Sequence, residues 1–283
     1  MSATPLLPLL YEDVVRRALL EDLGRAGDLT TDAIVAPGLT GRAVVVARAA
    51  GRVAGLEPAL LAFRLLDAGC RIDVRLPDGS DAGPGETIAR VEASARALLA
   101  AERTALNLIG HLGGIATATR DVVARLEGLP TRVACTRKTT PGLRGLEKWA
   151  VRVGGGSSHR YGLDDAVLVK DNHVALAGGV AEAVRRVRRA VGHMVKVEVE
   201  VDTLAQLDEA LGVGVDAVLL DNMDLATLRE GARRARGKAV TEASGGIRPE
   251  SVRQVAETGI DVVSLGWITH SSPALDVALD VEA

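Results

Sequence analysis

The chain has 283 residues, 47% of them hydrophobic and 25% charged, a balance that argues against disorder and leaves room for one large domain or two modest ones. With 34 Lys plus Arg against 37 Asp plus Glu, the formal charge is −3, so there is no general reason to expect nucleic acid or an anionic membrane as partner. Two Trp, two Tyr and one Phe leave the core to Ala, Val, Leu and Ile, and a base-stacking surface is not expected.

The N-terminal stretch MSATPLLPLLYEDVV has a short apolar run but no basic segment before it, and Glu12 and Asp13 follow at once, so it does not read as a signal peptide. No stretch approaches the roughly 20 apolar residues that cross a bilayer. Cys70 and Cys135 form no CxxC arrangement, which fits a reducing compartment and excludes a disulfide framework or Cys-rich zinc site. A cytoplasmic location is expected.

Residues 41–55 and 70–93 predict antiparallel strands, with a helix over 56–69 packed on them. A long helical run follows over 94–128, with Gly113-Gly114 as a break or a close-packing point. These make a small α+β sandwich domain over 1–113. From 114 to 270 short apolar runs recur at 132–136, 166–170, 195–201, 217–221, 239–243 and 261–265. Amphipathic segments at 141–153, 180–191, 203–211, 224–236 and 249–258 separate them, so the strands pair in parallel through right-handed crossovers. Capping residues mark several starts, with Asp202-Thr203, Asp224 and Pro249 before three of the segments. The tail, 271–283, alternates apolar and polar residues and is expected to return as a strand to the first domain.

Polar residues decide between an open sheet and a barrel. Lys170, Glu200, Asp221, Glu242 with Ser244, and Gly266 all lie at or just after the C-terminal end of a strand. A closed β/α barrel brings those ends to one mouth, whereas a doubly wound sheet focuses only the strands beside its switch point. Six visible βα units fall short of eight, so the expected fold is an incomplete barrel of six or seven parallel strands.

Charge is concentrated at that mouth. Between 131 and 173 stand eight Lys or Arg against four acids, a basic stretch in an acidic protein that suits a small polyanion. Arg144, Lys148 and Arg152 fall on helix 141–153 and read as its solvated face. Arg137 and Lys138 directly follow a strand, where an Arg fork and a Lys point charge suit several anionic groups. His159 and Arg160 stand in the glycine-rich GGGSSHRYG (154–162), whose backbone can approach a ligand. Lys170 ends an apolar strand, and pointing into the mouth spares it burial without a partner. Glu200 and Asp221 end neighbouring strands and could hold a hard divalent cation, act as acid and base, or pair with Lys138 and Lys170. Glu198 shares the parity of Glu200 but lies deeper. SGGIRPES (244–251) and LGWITHSSPA (265–274) occupy the late loops that commonly cradle phosphate.

In this order the motifs resemble the quinolinate phosphoribosyltransferase family. The matching segments are EDLGRAGDLTT (21–31), ERTALNLIGHLGGIAT (102–117), TRKTTPGLRGLEKWAVRVGG (136–155), HRYGLDDAVLVKDNHV (159–174), EVEVDTLAQLDEAL (198–211), LLDN (219–222), EASGGI (242–247) and THSSPALD (269–276). The resemblance implies conversion of quinolinate and 5-phosphoribosyl-1-pyrophosphate, with Mg²⁺, into nicotinate mononucleotide, pyrophosphate and CO₂. It implies that Arg137, His159 and Arg160 hold the quinolinate carboxylates, with Arg103 reaching over from a second subunit of at least a dimer. Lys138 and Lys170 would neutralise substrate and pyrophosphate, Glu200 and Asp221 would serve Mg²⁺ and the ribose hydroxyls, and Ser244, Gly245, Gly246 and Gly266 would cradle the 5′-phosphate. Ser158 and Trp267 depart from the family pattern, where Asn and a small residue are common. Two rival readings are a phosphate-binding barrel aldolase or isomerase using Lys170, and a non-catalytic sensor of phosphorylated metabolites.

Overall fold

Periods of 3.6 and 2 in the apolar residues give helices and strands respectively, and the computed structural model, which describes residues 5–282, contains both. The first four residues of the stretch weighed as a signal peptide, and Ala283 of the tail, lie outside that range. Elements of the first half are α1 (Glu12–Leu23), α2 (Leu29–Ile34), β1 (Thr40–Ala47), β2 (Gly51–Arg52) and α3 (Leu56–Leu66). There follow β3 (Arg71–Val74), β4 (Asp81–Ala82), β5 (Thr87–Ser94) and the long α4 (Ala95–Arg125). Next come β6 (Arg132–Ala134), α5 (Arg144–Val153), β7 (Val167–Val169), α6 (Asp171–Ala177), α7 (Val180–Ala190) and β8 (Val197–Val201). The chain ends with α8 (Leu204–Gly212), β9 (Ala217–Asp221), α9 (Leu225–Ala235), β10 (Val240–Ser244), α10 (Val252–Ala256), β11 (Val262–Ser264), α11 (Trp267–His270) and β12 (Val277–Glu282). Among the described residues, no helix is long and apolar enough to cross a membrane.

The chain divides into two compact units. One contains residues up to Arg120, Thr139–Gly155 and the chain from Ile268 onward; the other contains Asp121–Lys138 and Gly156–Trp267. In the first, an antiparallel sheet has the order β12-β1-β5-β3, so the tail strand flanks β1. Ala43, Val45 and Ala47 alternate along β1 and are fully buried, as are Leu60 and Phe63 of α3. Gly113-Gly114 turns out to be a close-packing point: α4 continues through both glycines, and a methyl at Gly114 would overlap the Pro273 carbonyl oxygen.

The segment 141–153, between β6 and β7 in the chain, packs within the first unit. One finding in this unit corrects the sequence reading. Lys148 is fully buried, not part of a solvated face, because α5 also buries Leu146, Glu147, Trp149 and Ala150 around it. Arg152 on the same helix is exposed.

Asp78 is a half-buried acid whose Oδ1 accepts the Leu56 N–H at 3.1 Å at the start of α3. Burial pushes its carboxyl up to about 6 from the ordinary 3.8, against the downward pull of that bond. The folded chain therefore holds this proton more tightly than the unfolded chain. The associated stability is present below pH 4 and is lost as pH rises through about 6. Asp78→Asn is expected to flatten that part of the curve, as read from denaturation midpoints between pH 4 and 7.

The second unit is a parallel sheet of order β6-β11-β10-β9-β8-β7. Its edge strands β6 and β7 do not pair with each other, and a single parallel bridge, Ala134 to Ser157, adds one more step beyond β6. Apolar residues Val197, Val199, Val201, Val218 and Leu220 fill strand positions at or near complete burial. Four of the six strands are two residues shorter than their apolar runs, since the end residues turn toward loops: β7 covers three of the five in AVLVK. In this unit α6 is not foreseen, as α1 and α2 are not in the first.

Capping follows the sequence closely at α8. Thr203 Oγ1 accepts from Gln206 N at 3.2 Å, and Gln206 Oε1 accepts from Thr203 N at 3.2 Å. Thr203→Ala is expected to cost about 1 kcal/mol in thermal or chemical denaturation while leaving ligand affinity unchanged.

Candidate active site

Strand register places the polar residues. Glu200 aligns with Leu219, Leu219 with Glu242, and Asp221 with Ser244. Because side chains alternate along strands, Glu198, Glu200, Asp221, Glu242, Ser244 and Ser264 all project from one face. That face is concave. His159 Nε2 lies 2.8 Å from Glu198 Oε2 on β8 and 3.7 Å from Glu242 Oε2 on β10, two strands that a flat sheet would hold about 10 Å apart. Curvature of this kind is what the incomplete barrel requires.

At the mouth, Lys170 Nζ lies 2.9 Å from Glu200 Oε2. Burial pushes the Asp221 carboxyl up, and the charges of Glu200 and Asp202 push it further, while Lys170 and Lys138 oppose them. Lys138 and Asp221 therefore sense each other, and the structure brings together Lys138, Lys170, Glu200 and Asp221. The donor set of Glu200 and Asp221 is all oxygen and anionic, with a mutual repulsion that a hard divalent cation would relieve, so these two residues fit Mg²⁺. The closest grouping of metal-type atoms among the described residues is a different one, His159 with Glu198 and Glu242, all within 4.8 Å.

Both ring nitrogens of His159 are engaged. Nδ1 accepts the Arg160 N–H at 2.8 Å, so the proton sits on Nε2 and is donated to Glu198. Contact of this ring with a substrate would require one of these bonds to be exchanged. Arg160 reaches Ala166 O through Nη1 at 3.0 Å, and its Nε is buried without a hydrogen-bond partner. Burial, then the nearby Arg137 charge, lowers the proton affinity of Arg160, with Asp165 and Glu198 acting the other way. Arg137 and Arg160 are thus close enough for their charges to oppose each other. Ser264 Oγ and Trp267 Nε1 are also buried without partners at the end of β11 and just beyond it.

Loop 159–166 is shaped by Asp165, whose carboxylate accepts the Tyr161 N–H at 2.7 Å and the Gly162 N–H at 3.1 Å. Ser244, Gly245 and Gly246 form the turn after β10, with φ of +98° at Gly245 and +61° at Gly246. Gly266 directly precedes α11. Arg103 lies in the first unit, 64% exposed at its side chain. It lines a cavity of about 460 Å³ there with Arg17, Asn107 and His111. Of the expected site residues, all but Arg103 belong to the second unit.

Sequence reasoning passes over three participants: Glu242 as a partner of His159, Asp165 as the loop's anchor, and Asn222 beside Asp221. Asp165 has a local signal, an Asp three and four residues after the N–H groups it accepts. The Glu242 contact spans three strands and has no local signal.

Guanidinium, ammonium and carboxylate groups gathered at the strand ends of a parallel sheet make up the candidate site. Residues 28–113 match the N-terminal domain, and residues 115–280 the C-terminal domain, of quinolinate phosphoribosyl transferase. The nicotinate-nucleotide pyrophosphorylase (carboxylating) of Mycobacterium leprae is 43% identical over 274 residues, 95% of this chain and 96% of that one. A mitochondrial quinolinate phosphoribosyltransferase (decarboxylating) of Nicotiana tabacum is 34% identical over 95% of this chain and 81% of its own. The solved nicotinate-nucleotide pyrophosphorylase of Francisella tularensis superposes with a TM-score of 0.94, at 35% identity over 100% of this chain and 99% of that chain. The chain belongs to the quinolinate phosphoribosyl transferase family.

Proposed function

We propose that the chain transfers the phosphoribosyl group of 5-phosphoribosyl-1-pyrophosphate to quinolinate and decarboxylates the product, giving nicotinate mononucleotide, pyrophosphate and CO₂. The carrying observation is that one sheet face holds both groups: Lys170 meets Glu200 at 2.9 Å, and His159, which accepts the Arg160 N–H, bonds Glu198 two residues earlier on the same strand. One half suits a dicarboxylate and the other a pyrophosphate with its cation.

Arg137 and Arg160 would each take a quinolinate carboxylate, a geometry for which the guanidinium fork is suited. His159 steadies that side through its bonds to Glu198 and the Arg160 backbone. Glu200 and Asp221 would hold Mg²⁺ and the ribose hydroxyls, and Ser244, Gly245, Gly246 and Gly266 the 5′-phosphate. When bound, Mg²⁺ offsets negative charge on the departing pyrophosphate. Lys138 and Lys170 add fixed positive charge for the same group, so the pyridine nitrogen can attack the ribose carbon as the bond to pyrophosphate breaks. N-ribosylation leaves the ring cationic, that charge stabilises the carbanion formed as CO₂ departs, and a proton from solvent then takes the vacated carbon.

Arg103 completes the reading as a residue supplied by a second copy. Its exposure supports this, as do Leu9, Leu20, Leu29 and Ile34, apolar side chains of the N-terminal region that are 67% or more exposed. Nicotinate is a poorer acceptor for this site, because it lacks the second carboxylate. ¹⁴CO₂ released from carboxyl-labelled quinolinate only when phosphoribosyl pyrophosphate and Mg²⁺ are both present is the expected result. No release under any condition overturns the reading.

A further inference from the structure

Asn222 stands directly after β9, outside every role given above. Its φ is 52°, and among the described residues it is the one non-glycine with positive φ. Asn tolerates that region better than most residues, but glycine adopts it more readily. A side chain has been kept where the backbone favours none, and it is in use. The amide Nδ2 donates to Asp221 Oδ2 at 2.5 Å. The backbone N–H donates to Ser244 O at 3.0 Å, tying the end of β9 to the end of β10. The amide Oδ1 fills the space beside Gly245 where a Cβ would otherwise stand. Gly245 is thereby restricted to glycine twice over, by its own φ of +98° and by this amide.

We infer that Asn222 is a positioning residue that fixes the Asp221 carboxylate and the Ser244–Gly245–Gly246 turn against each other, setting the spacing between bound cation and bound phosphate. The inference rests on the reading above. The two acids of the mouth are held differently. Glu200 is held by a cation, Lys170, whereas Asp221 is held by a neutral amide. A neutral donor orients one carboxylate oxygen without cancelling the charge that attracts a metal, and leaves Oδ1 to a ligand. It also holds the group in place against the repulsion of Glu200 and Asp202.

Two variants separate this role from simple turn-making. Asn222→Gly keeps the left-handed backbone and removes the amide; Asn222→Asp keeps the shape and exchanges the donor for a charge. Partners that orient metal ligands typically change metal affinity by about 10–100-fold when lost. In Asn222→Gly the melting temperature should stay close to that of the wild type. The KM for phosphoribosyl pyrophosphate, and its Kd with Mn²⁺ by calorimetry, should rise at least about tenfold, while the KM for quinolinate changes less than about twofold. Asn222→Asp should show the same split. Wild-type values for Asn222→Gly in both KM and Kd overturn the inference, as does an equal loss for both substrates accompanied by a fall in melting temperature. A wild-type protein that binds phosphoribosyl pyrophosphate with Mn²⁺ yet releases no CO₂ refutes the proposed reaction instead, and the calorimetric comparison then decides the role of Asn222 alone.

Discussion

Lys170→Ala is expected to lower turnover by about 10²-fold or more, the scale of one lost electrostatic contact to a charge that develops in the transition state. The side chain is 47% exposed, so its removal leaves little packing defect and the fold should hold. Two things are lost together. The ammonium no longer meets the departing pyrophosphate, and Glu200 loses its partner at 2.9 Å beside an Asp221 already disfavoured as an anion. Lys138, also beside Asp221, is expected to behave alike, whereas the two rivals separate on Lys170 itself. An aldolase would form a Schiff base there, trappable by borohydride, and a sensor would bind both ligands without turnover. Steady-state ¹⁴CO₂ release for each variant, with melting temperatures as control, makes the comparison. Turnover near wild type in both Lys138→Ala and Lys170→Ala would remove the basis for their roles.

Gly114→Ala should destabilise the protein by about 3 kcal/mol, at the upper end of the cost of forcing a methylene into a packed site. The neighbours are backbone, not side-chain ends: the Pro273 carbonyl and the Ala274 Cα sit where the methyl would go. Gly110 and Gly113 on the same helix are also close to Leu275, whose N–H donates to Gly110 O at 2.8 Å, so the segment has little room to move away. Gly145 of α5 is the control. A Cβ there meets nothing within 4 Å, and alanine is expected to stabilise by about 0.5–1 kcal/mol through its better helix propensity. Equal urea midpoints for Gly114→Ala and wild type would show that α4 and the tail are not locked together.

Period and parity made much of this legible in advance. In VEVEV and AVLLD the alternation places Glu198, Glu200 and Asp221 on one face, and the structure keeps them there. Thr203 and Asp224 accept from backbone N–H groups three residues on, as their positions before apolar runs predict. What sequence did not carry was depth and partnership. Lys148 looks like a solvated residue because its own helix is amphipathic, and only the packing of a whole unit reveals that it is buried. The contact of His159 with Glu242 depends on how far the sheet curls, a property of all its strands together. The two conformations offered for Gly113-Gly114, break or close approach, differ only in what lies opposite, and Pro273 lies some 160 positions away in the chain.

The pairing of β12 with β1 has a consequence for the order of synthesis. Arg48 and Asp280 are linked at 2.6 Å across 232 positions, and the first unit draws its residues from both ends of the chain. While translation proceeds, β1 can acquire β5 but presents its other edge bare until β12 emerges. An open strand edge in an unfinished chain is a template for pairing with a neighbour. The unit begun first is therefore completed only after the strands of the parallel sheet, β6 to β11, have been made.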